Sequence, residues 1–180
     1  MIFYPSVTLD HIYPKCFVPL AFEVYENGKC IGDIKVRLYK YTNTNQMLND
    51  TQEANKYIGA AAEVLALDTR FKADLVEEVG KTPIVAYIER FFIYPEYRGH
   101  GYGEKCLSEL ANNIKIITLT EPCAFMTFLE PNEAYTQNGE TILLTHKEVK
   151  QMKKCMRHVF QKAGFIFPST KHPFCGYCYR

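Results

Sequence analysis

The chain has 180 residues, a length that favours one domain with a substantial buried core. Its 21 Lys and Arg residues nearly balance 20 Asp and Glu residues, which argues against a protein that binds the phosphate backbone of nucleic acid. Hydrophobic residues make up 47% of the sequence, but no apolar run reaches the ~20 residues of a membrane-spanning helix. The seven cysteines do not suggest a disulfide scaffold, and the N-terminus lacks a signal-peptide pattern. We therefore expect a reduced, cytoplasmic protein that does not associate with membranes.

The first half of the sequence predicts a hairpin followed by helices. Residues 16–41 contain two β-rich segments on either side of Asn27-Gly28, a dipeptide typical of a type I′ turn. Residues 50–80 are expected to form two helices. The first would begin with a capping-box pattern at residues 50–53, and the second, shorter one from about residue 69, with Phe71 facing inward.

The second half alternates predicted strands and helices. Residues 83–93 are apolar on both faces and predict a central strand, which is followed by a glycine-rich loop and a helix to residue 118. The inward positions of this helix are expected to be Cys106, Leu107, Leu110, Ile114 and Ile117.

The C-terminal part predicts a strand, a long link, a helix and a short strand, at residues 122–129, 130–144, 145–163 and 165–167. A capping box at Thr145 starts the helix, and the residues after Pro168 form either irregular structure or a last strand. Together these elements predict one α/β (α+β) domain over residues 1–180, with a mixed central sheet and flanking helices.

The segment most informative about function is residues 98–103, Arg-Gly-His-Gly-Tyr-Gly, between a predicted strand and an amphipathic helix. Its glycines permit unusual φ values, and the unpaired N–H groups of the following helix turn attract a di-anion. A Walker A loop would need Gly-Lys-Ser/Thr here, and a Rossmann fingerprint would need a third glycine at position 104. The sequence has neither, so the alternatives are another phosphate-binding loop or a glycine-rich turn without a ligand.

This segment resembles the pyrophosphate loop of the GCN5-related N-acetyltransferase (GNAT) superfamily, which reads Arg or Gln, two residues, Gly, one residue, Gly or Ala. Residues 93–97 resemble the usual lead-in, and Gly164-Phe165 after the late helix is a second shared feature. The resemblance covers residues 83–118 and 145–167. It implies a GNAT-like fold that binds acetyl-CoA, or another acyl-CoA, as cosubstrate across two splayed parallel strands. The acyl-CoA-binding residues that it implies are Phe91, Phe92, Ile93, Arg98, Gly99, His100, Gly101, Tyr102 and Gly103.

Acetyl transfer to an amine requires a base that takes a proton from the nucleophile. By period two, Tyr87, Glu89, Phe91 and Ile93 are expected to share one face of the strand, on which Glu89 is the only carboxylate. Related transferases often carry the base on this strand, so Glu89 and Tyr87 are the candidate catalytic residues. The structural alternatives are an ion pair of Glu89 with Arg90 or a helix residue, and a packed core position for Tyr87.

The resemblance also implies a tyrosine acid on the late helix, four or five positions before Gly-Phe. Phe160 stands there and has no proton to donate. Tyr135, Tyr177, Tyr179 or a water molecule could replace it, or the low pKa of the CoA thiol could make an acid unnecessary. The protein could also bind acyl-CoA without catalysis.

The long link after the predicted strand at 122–129 is expected to border the acceptor pocket, because long loops in compact folds are often functional. Asn138-Gly139 would close a small hairpin in it. Glu130, Glu133 and Tyr135 are the candidate substrate-binding residues and would face a cationic acceptor. The alternative is a surface hairpin remote from the cleft.

The sequence thus predicts an N-acetyltransferase that acts on a small-molecule or peptide amine by direct attack in a ternary complex. The alternatives are a catalytically inactive acyl-CoA-binding module of the same fold and a nucleotide- or phosphate-binding protein. The sequence is also compatible with a homodimer. His172, Cys175 and Cys178 resemble part of a zinc site, but a structural zinc ion needs four ligands, so no metal is expected.

Overall fold

The computed structural model describes residues 1–6, 17–69, 71, 83–119, 122–130, 134–137 and 140–179. The strands are β1 (Ile2–Ser6), β2 (Phe17–Glu26), β3 (Lys29–Lys40), β4 (Ile84–Ile93), β5 (Ala124–Phe128), β6 (Ala134–Gln137), β7 (Glu140–Leu143) and β8 (Cys175–Tyr179). The α-helices are α1 (Thr44–Ala54), α2 (Lys56–Ala66), α3 (Tyr102–Thr118) and α4 (His146–Lys162), with a 3-10 turn at Pro95–Tyr97.

Six strands form one mixed sheet in the order β1-β2-β3-β4-β5-β8, and β6 and β7 form a separate hairpin. Strands β4 and β5 are parallel, whereas all other neighbours in the sheet are antiparallel. One face of the sheet packs against α3 and Phe160 of α4, and the other packs against α1 and α2. The predicted α/β fold with a mixed central sheet and flanking helices is confirmed.

The predicted hairpin of β2 and β3 is also confirmed. Asn27 and Gly28 both have positive φ, at 51° and 76°, as the two central residues of a type I′ turn require. The second predicted hairpin is confirmed in its pairing, because Gln137 of β6 pairs with Glu140 of β7 across a two-residue link. The link itself, Asn138-Gly139, lies outside the described residues.

The predicted start of the first helix at residues 50–53 is wrong. Helix α1 begins six residues earlier, where the Asn43 side chain accepts a hydrogen bond from the Gln46 N–H (2.8 Å). Asp50 instead accepts a hydrogen bond from the Tyr39 hydroxyl (2.7 Å), so it serves the packing of α1 on the sheet rather than a cap. A second asparagine, Asn55, caps α2. Of the predicted short helix from residue 69, Phe71 is buried as expected, and residues 72–80 lie outside the described residues.

Helix α3 has four of its five predicted inward residues in the core, but Ile117 is 39% exposed. Ile117 lies in the last turn, next to exposed Ile116 and Leu119, where the helix extends past the packed core.

The capping box at the start of α4 is confirmed, and Gly164 ends that helix at a φ of 92°. Of the helices in the described ranges, none combines the length and apolar composition needed to cross a lipid bilayer.

The predicted strand at residues 165–167 is wrong. Only Ile166 pairs there, through two hydrogen bonds with Tyr177, because Pro168 has no N–H to extend the pairing. The last strand of the sheet is β8, which pairs with the outer edge of β5. A last strand after Pro168 was one of the two alternatives for this tail.

Candidate active site

Strands β4 and β5 diverge and open a cleft between them. Their pairing ends at Ile88 and Thr127, where the Thr127 hydroxyl donates a hydrogen bond to the Ile88 carbonyl (3.2 Å). Helix α4 forms the opposite wall. The residues that line the cleft are Ile88, Glu89, Arg90, Phe91 and Phe92 of β4, Thr127, Phe128 and Glu130 at the end of β5, and Met152, Met156 and Phe160 of α4.

A β-bulge in β4 determines which side chains share a face. Lys35 of β3 pairs with Arg90, and the next residue, Val36, pairs with Ile88, so Glu89 is one extra residue on β4. The prediction that Tyr87, Glu89, Phe91 and Ile93 share one face is therefore wrong. Tyr87 packs on the side of α1 and α2, whereas Phe91 and Ile93 pack on the side of α3 and α4.

Glu89 lies at the cleft and forms an ion pair with the neighbouring strand. Its Oε1 accepts a hydrogen bond from Nη2 of Arg37 on β3 at 2.9 Å. The Arg37 side chain is only 3% exposed, and that of Glu89 is 31% exposed. The predicted structural partner, Arg90, instead pairs with Asp33, with Nη2 and Oδ2 3.1 Å apart. Glu89 therefore belongs to an ion pair and lines the cleft at the same time.

Tyr87 is buried in the core on the side of α1 and α2. Burial raises the pKa of its phenol far above the ordinary value, and the nearby negative charge of Glu89 adds to the shift. The phenol thus stays protonated at neutral pH. This position fits the packed-core alternative better than the role of a base.

The glycine loop leads into the N-terminus of α3. Gly99 and Gly101 have φ values of 81° and 79°, and nothing described lies within 4 Å of the position that a Cβ atom would take at either residue. Gly101 is the N-cap of α3 and offers no side chain to the helix, whose first internal hydrogen bond runs from the Lys105 N–H to the Gly101 carbonyl (3.2 Å). The N–H groups of residues 102–104 therefore find no acceptor within the described helix, and they are the donors that an anion would use.

Gly103, the last glycine of the loop, has a packing role. A Cβ atom at this position would lie 3.0 Å from Cγ1 of Val159 and 3.6 Å from the ring of Phe91. The first turn of α3 therefore approaches both α4 and the cleft residue Phe91 closely. This contact joins the glycine loop to the cleft.

Arg98 and His100 flank the loop. The Arg98 Nε donates a hydrogen bond to the Ile93 carbonyl (2.8 Å), and its guanidinium lies over the Phe92 ring, 5.2 Å from the centroid. The exposed His100 ring stacks on Tyr102 with 5.9 Å between centroids. Arg98 thus holds the end of β4 against the loop.

The main chain of β4 has an edge that faces the cleft. The Tyr94 N–H donates to the Ile31 carbonyl of β3 (2.9 Å), which fixes the alternation of the antiparallel pair. The polar main-chain groups of Phe92 consequently point toward β3, and those of Phe91 and Ile93 point toward the edge where β5 has diverged.

Phe160 is fully buried on the cleft wall, where its ring contacts Phe91 and Phe165 edge to face. Of the alternative acids, Tyr177 donates a hydrogen bond to Asp68, and both Tyr177 and Tyr179 pack on the side of α1 and α2. The side chain of Tyr135 is not among those described, although its backbone pairs with Ile142. Among the described side chains, no tyrosine lines the cleft.

Of the three predicted substrate-binding residues, Glu130 is the one whose side chain the structure describes. It is exposed and lines the same cleft as Glu89. Glu133 lies outside the described residues. The cleft is therefore lined by two acidic residues, Glu89 and Glu130, and by Arg90, which pairs with Asp33.

The two cysteines of the partial zinc pattern do not form a pair. Cys175 packs on the side of α1 and α2 and Cys178 on the opposite side, because residues three apart on a strand point to opposite faces. Burial raises the pKa of the Cys175 thiol to about 12. In the described part of the chain, no three His, Cys, Asp or Glu side chains are grouped so as to hold a metal ion.

The chain matches the family described as Acetyltransferase (GNAT) family over residues 8–115. The match includes the glycine loop and the diverging strand β4, and it extends N-terminally over the β2–β3 hairpin and helices α1 and α2. Comparison with curated proteins gives no match. Because the match spans more than half of the 180 residues and the sheet has the expected mixed topology, the chain belongs to the GNAT family of acetyltransferases.

Proposed function

We propose that this protein transfers an acetyl group from acetyl-CoA to an amine by direct attack in a complex with both substrates. The single observation that carries the proposal is the position of Glu89. Glu89 is among the residues that line the cleft between β4 and β5, whose wall residue Phe91 lies next to the start of the glycine-loop helix. The cleft that carries the candidate base is therefore in contact, through Phe91, with the helix that carries the candidate anion site.

The residues of the loop fit the pyrophosphate of acetyl-CoA. Residues 102–104 would donate their N–H groups to it, with the positive end of the α3 dipole behind them. The open space beside Gly99 and Gly101 leaves room for phosphate oxygens. The edge of β4 at Phe91 and Ile93 would hydrogen-bond the pantetheine amides, although the Ile93 carbonyl already accepts a bond from Arg98. When bound, acetyl-CoA supplies the thioester that the amine attacks.

Glu89 would accept the proton that the amine must lose before it can attack, either directly or through one water molecule. Glu130, at the same end of the cleft, adds a second negative charge that favours a cationic acceptor over a neutral or anionic one. Glu133 and Tyr135, on the segment that follows, would extend this acceptor surface. The proposed acceptor class is thus a small-molecule or peptide amine.

Phe160 provides no proton at the position where related enzymes carry a tyrosine. We therefore expect the proton for the departing thiol to come from water. The same observation favours a second candidate function, an acyl-CoA-binding module without turnover.

Two measurements separate these candidates. Acetyl-CoA should raise the melting temperature, whereas ATP and NAD should not. A shift with ATP or NAD alone would favour a nucleotide-binding protein instead. Release of CoA thiol should then be measured over a panel of small amines, antibiotics and peptides with free N-termini. Amine-dependent release supports the transferase, and stabilisation by acetyl-CoA without release on any amine supports the binding module.

A further inference from the structure

Glu89 is held by a residue that is buried beneath the cleft. We infer that Arg37 of β3 is a positioning residue that fixes the Glu89 carboxylate at the mouth of the diverging strands. The inference rests on the proposed function, in which Glu89 acts as the base. Arg37 is not among the residues that line the cleft, and its contact with the cleft is the hydrogen bond to Glu89.

The bulge explains why Glu89 needs such a contact. On a regular strand, neighbouring side chains across the ladder limit where a residue points, but Glu89 lies between the pairs formed by Ile88 and Arg90. Arg37 pairs in register with Tyr87 and extends across the bulge to the carboxylate, with Nη2 and Oε1 2.9 Å apart. The contact therefore replaces the restraint that the regular ladder would supply.

The two partners of this ion pair are buried to very different extents. The Arg37 side chain is 3% exposed, and a guanidinium so deeply buried is stable only next to a counter-charge. The Glu89 side chain is 31% exposed, and Glu89 is among the residues that line the cleft. The pair thus anchors one carboxylate oxygen of a cleft residue.

Glu130 adds a reason for the anchor. Its carboxylate lines the same cleft, and both Glu89 and Glu130 act electrostatically on the buried Tyr87 phenol. Like charges at one end of a cleft repel each other. Without Arg37, the Glu89 side chain would turn away from Glu130 and toward solvent.

A second ion pair between the same two strands provides the matched control. Arg90 of β4 pairs with Asp33 of β3, and their side chains are 30% and 25% exposed. Asp33 does not line the cleft. Asp33→Asn therefore removes a charge from β3 in the same strand pair and leaves the Arg37–Glu89 contact in place, although it also takes the ion-pair partner from the cleft residue Arg90.

The experiment compares Arg37→Met, Arg37→Lys and Asp33→Asn with the wild-type protein, using the best amine from the panel. Arg37→Met should lower kcat by about 10- to 100-fold, the order expected for a catalytic group displaced by ~1 Å, with the KM for acetyl-CoA changed less than about twofold. Arg37→Lys should keep kcat within about tenfold of the wild-type value, because the lysine ammonium can still bind the Glu89 carboxylate. Asp33→Asn should lower kcat much less than Arg37→Met does, because the Arg37–Glu89 contact is unchanged. Equal kcat in wild type and Arg37→Met, or an equal loss in Asp33→Asn, would overturn the inference.

Crystal structures of the same variants decide the question independently of activity. In Arg37→Met the Glu89 carboxylate should leave its wild-type position, and in Arg37→Lys it should remain there. A carboxylate that stays in place in Arg37→Met would overturn the positioning role. If Arg37→Met does not fold, the structure and kcat of Arg37→Lys provide the test. A Glu89 carboxylate that is displaced in Arg37→Lys while kcat equals the wild-type value would contradict the inference. If no amine is acetylated by the wild-type protein, the proposed function fails, while the structures still test whether Arg37 places Glu89.

Discussion

The two ends of the proposed site are built from different parts of the chain. The glycine-loop end would use main-chain groups of consecutive residues, 98–104, and depends on two positive φ values at Gly99 and Gly101. The Glu89 end uses side chains from β3, β4, the end of β5 and α4, and depends on how those elements register with one another. We therefore expect substitutions at the first end to change the binding of acetyl-CoA, and substitutions at the second end to change turnover or acceptor binding.

The largest effect is expected from Gly101→Val. A β-branched residue is strained at a φ of 79°, and its methyl groups would occupy the open space in front of the N–H groups of residues 102–104. Loss of two charge-assisted hydrogen bonds, each worth about 1.5–3 kcal/mol, weakens acetyl-CoA binding by roughly 100-fold or more. Titration calorimetry measures this loss, and circular dichroism checks that the variant is folded.

Gly28→Val is the matched control for that variant. Gly28 has a φ of 76° and equally open surroundings, but it lies in the β2–β3 turn. It should lose a similar amount of stability and keep the wild-type affinity for acetyl-CoA. Unchanged affinity in folded Gly101→Val, or equal losses of affinity in both variants, would contradict the loop assignment.

At the other end, Glu89→Gln should lower kcat by about 10²–10⁴-fold at neutral pH and leave acetyl-CoA affinity unchanged. The glutamine keeps an oxygen that can accept the hydrogen bond from Arg37, so the fold should persist. Steady-state kinetics with the best amine provide the test. Normal turnover in this variant would remove Glu89 from the mechanism, and unfolding without a specific loss of kcat would favour a structural role.

Within the Glu89 end, the hairpin of β6 and β7 is expected to affect acceptor binding. Replacing residues 134–141 with a short Gly-Ser link should raise the KM of the acceptor several-fold and spare the affinity for acetyl-CoA. The reason is that this segment follows Glu130, which lines the cleft. An unchanged acceptor KM would place the hairpin remote from the acceptor pocket, which is the plainer alternative.

The smallest effect concerns the contact that joins the two ends. In Gly103→Ala the new Cβ atom would lie 3.0 Å from Cγ1 of Val159, so the two helices must shift slightly. We expect a loss of ~1 kcal/mol, partly offset by the higher helix propensity of alanine. In a Val159→Ala background the same change should become stabilising, because the clash is gone. Thermal unfolding of the four proteins in this cycle measures the sign change, and its absence would mean that the contact does not limit helix packing.

The sequence predicts the glycine-loop end well, because the conformation there is local. Three alternating glycines between a strand and a helix suffice to place the loop, and Gly99 and Gly101 take up the left-handed backbone that they permit. Helix starts were less predictable, since the capping-box pattern at residues 50–53 does not begin a helix. The structure uses Asn43, because Asp50 contacts Tyr39 of β3.

The Glu89 end could not be read from the sequence in the same way. The bulge shifts the alternation by one residue at Glu89 and Arg90, and because the other residues of β4 are nearly all apolar on both faces, the pattern of polar and apolar residues does not show the shift. The pairing of Arg37 with Glu89 joins residues 52 positions apart and follows from the register of β3 on β4. Identifying Glu89 as the candidate base required only its charge, but identifying its partner required the tertiary structure.

The most direct test of the account is a crystal structure of the protein with bound CoA. The pyrophosphate should lie within hydrogen-bond distance, roughly 3 Å, of the N–H groups of residues 102–104, and the thiol end should enter the cleft beside Glu89. A pyrophosphate bound away from the glycine loop, or a thiol that lies on the side of α1 and α2, would contradict the account.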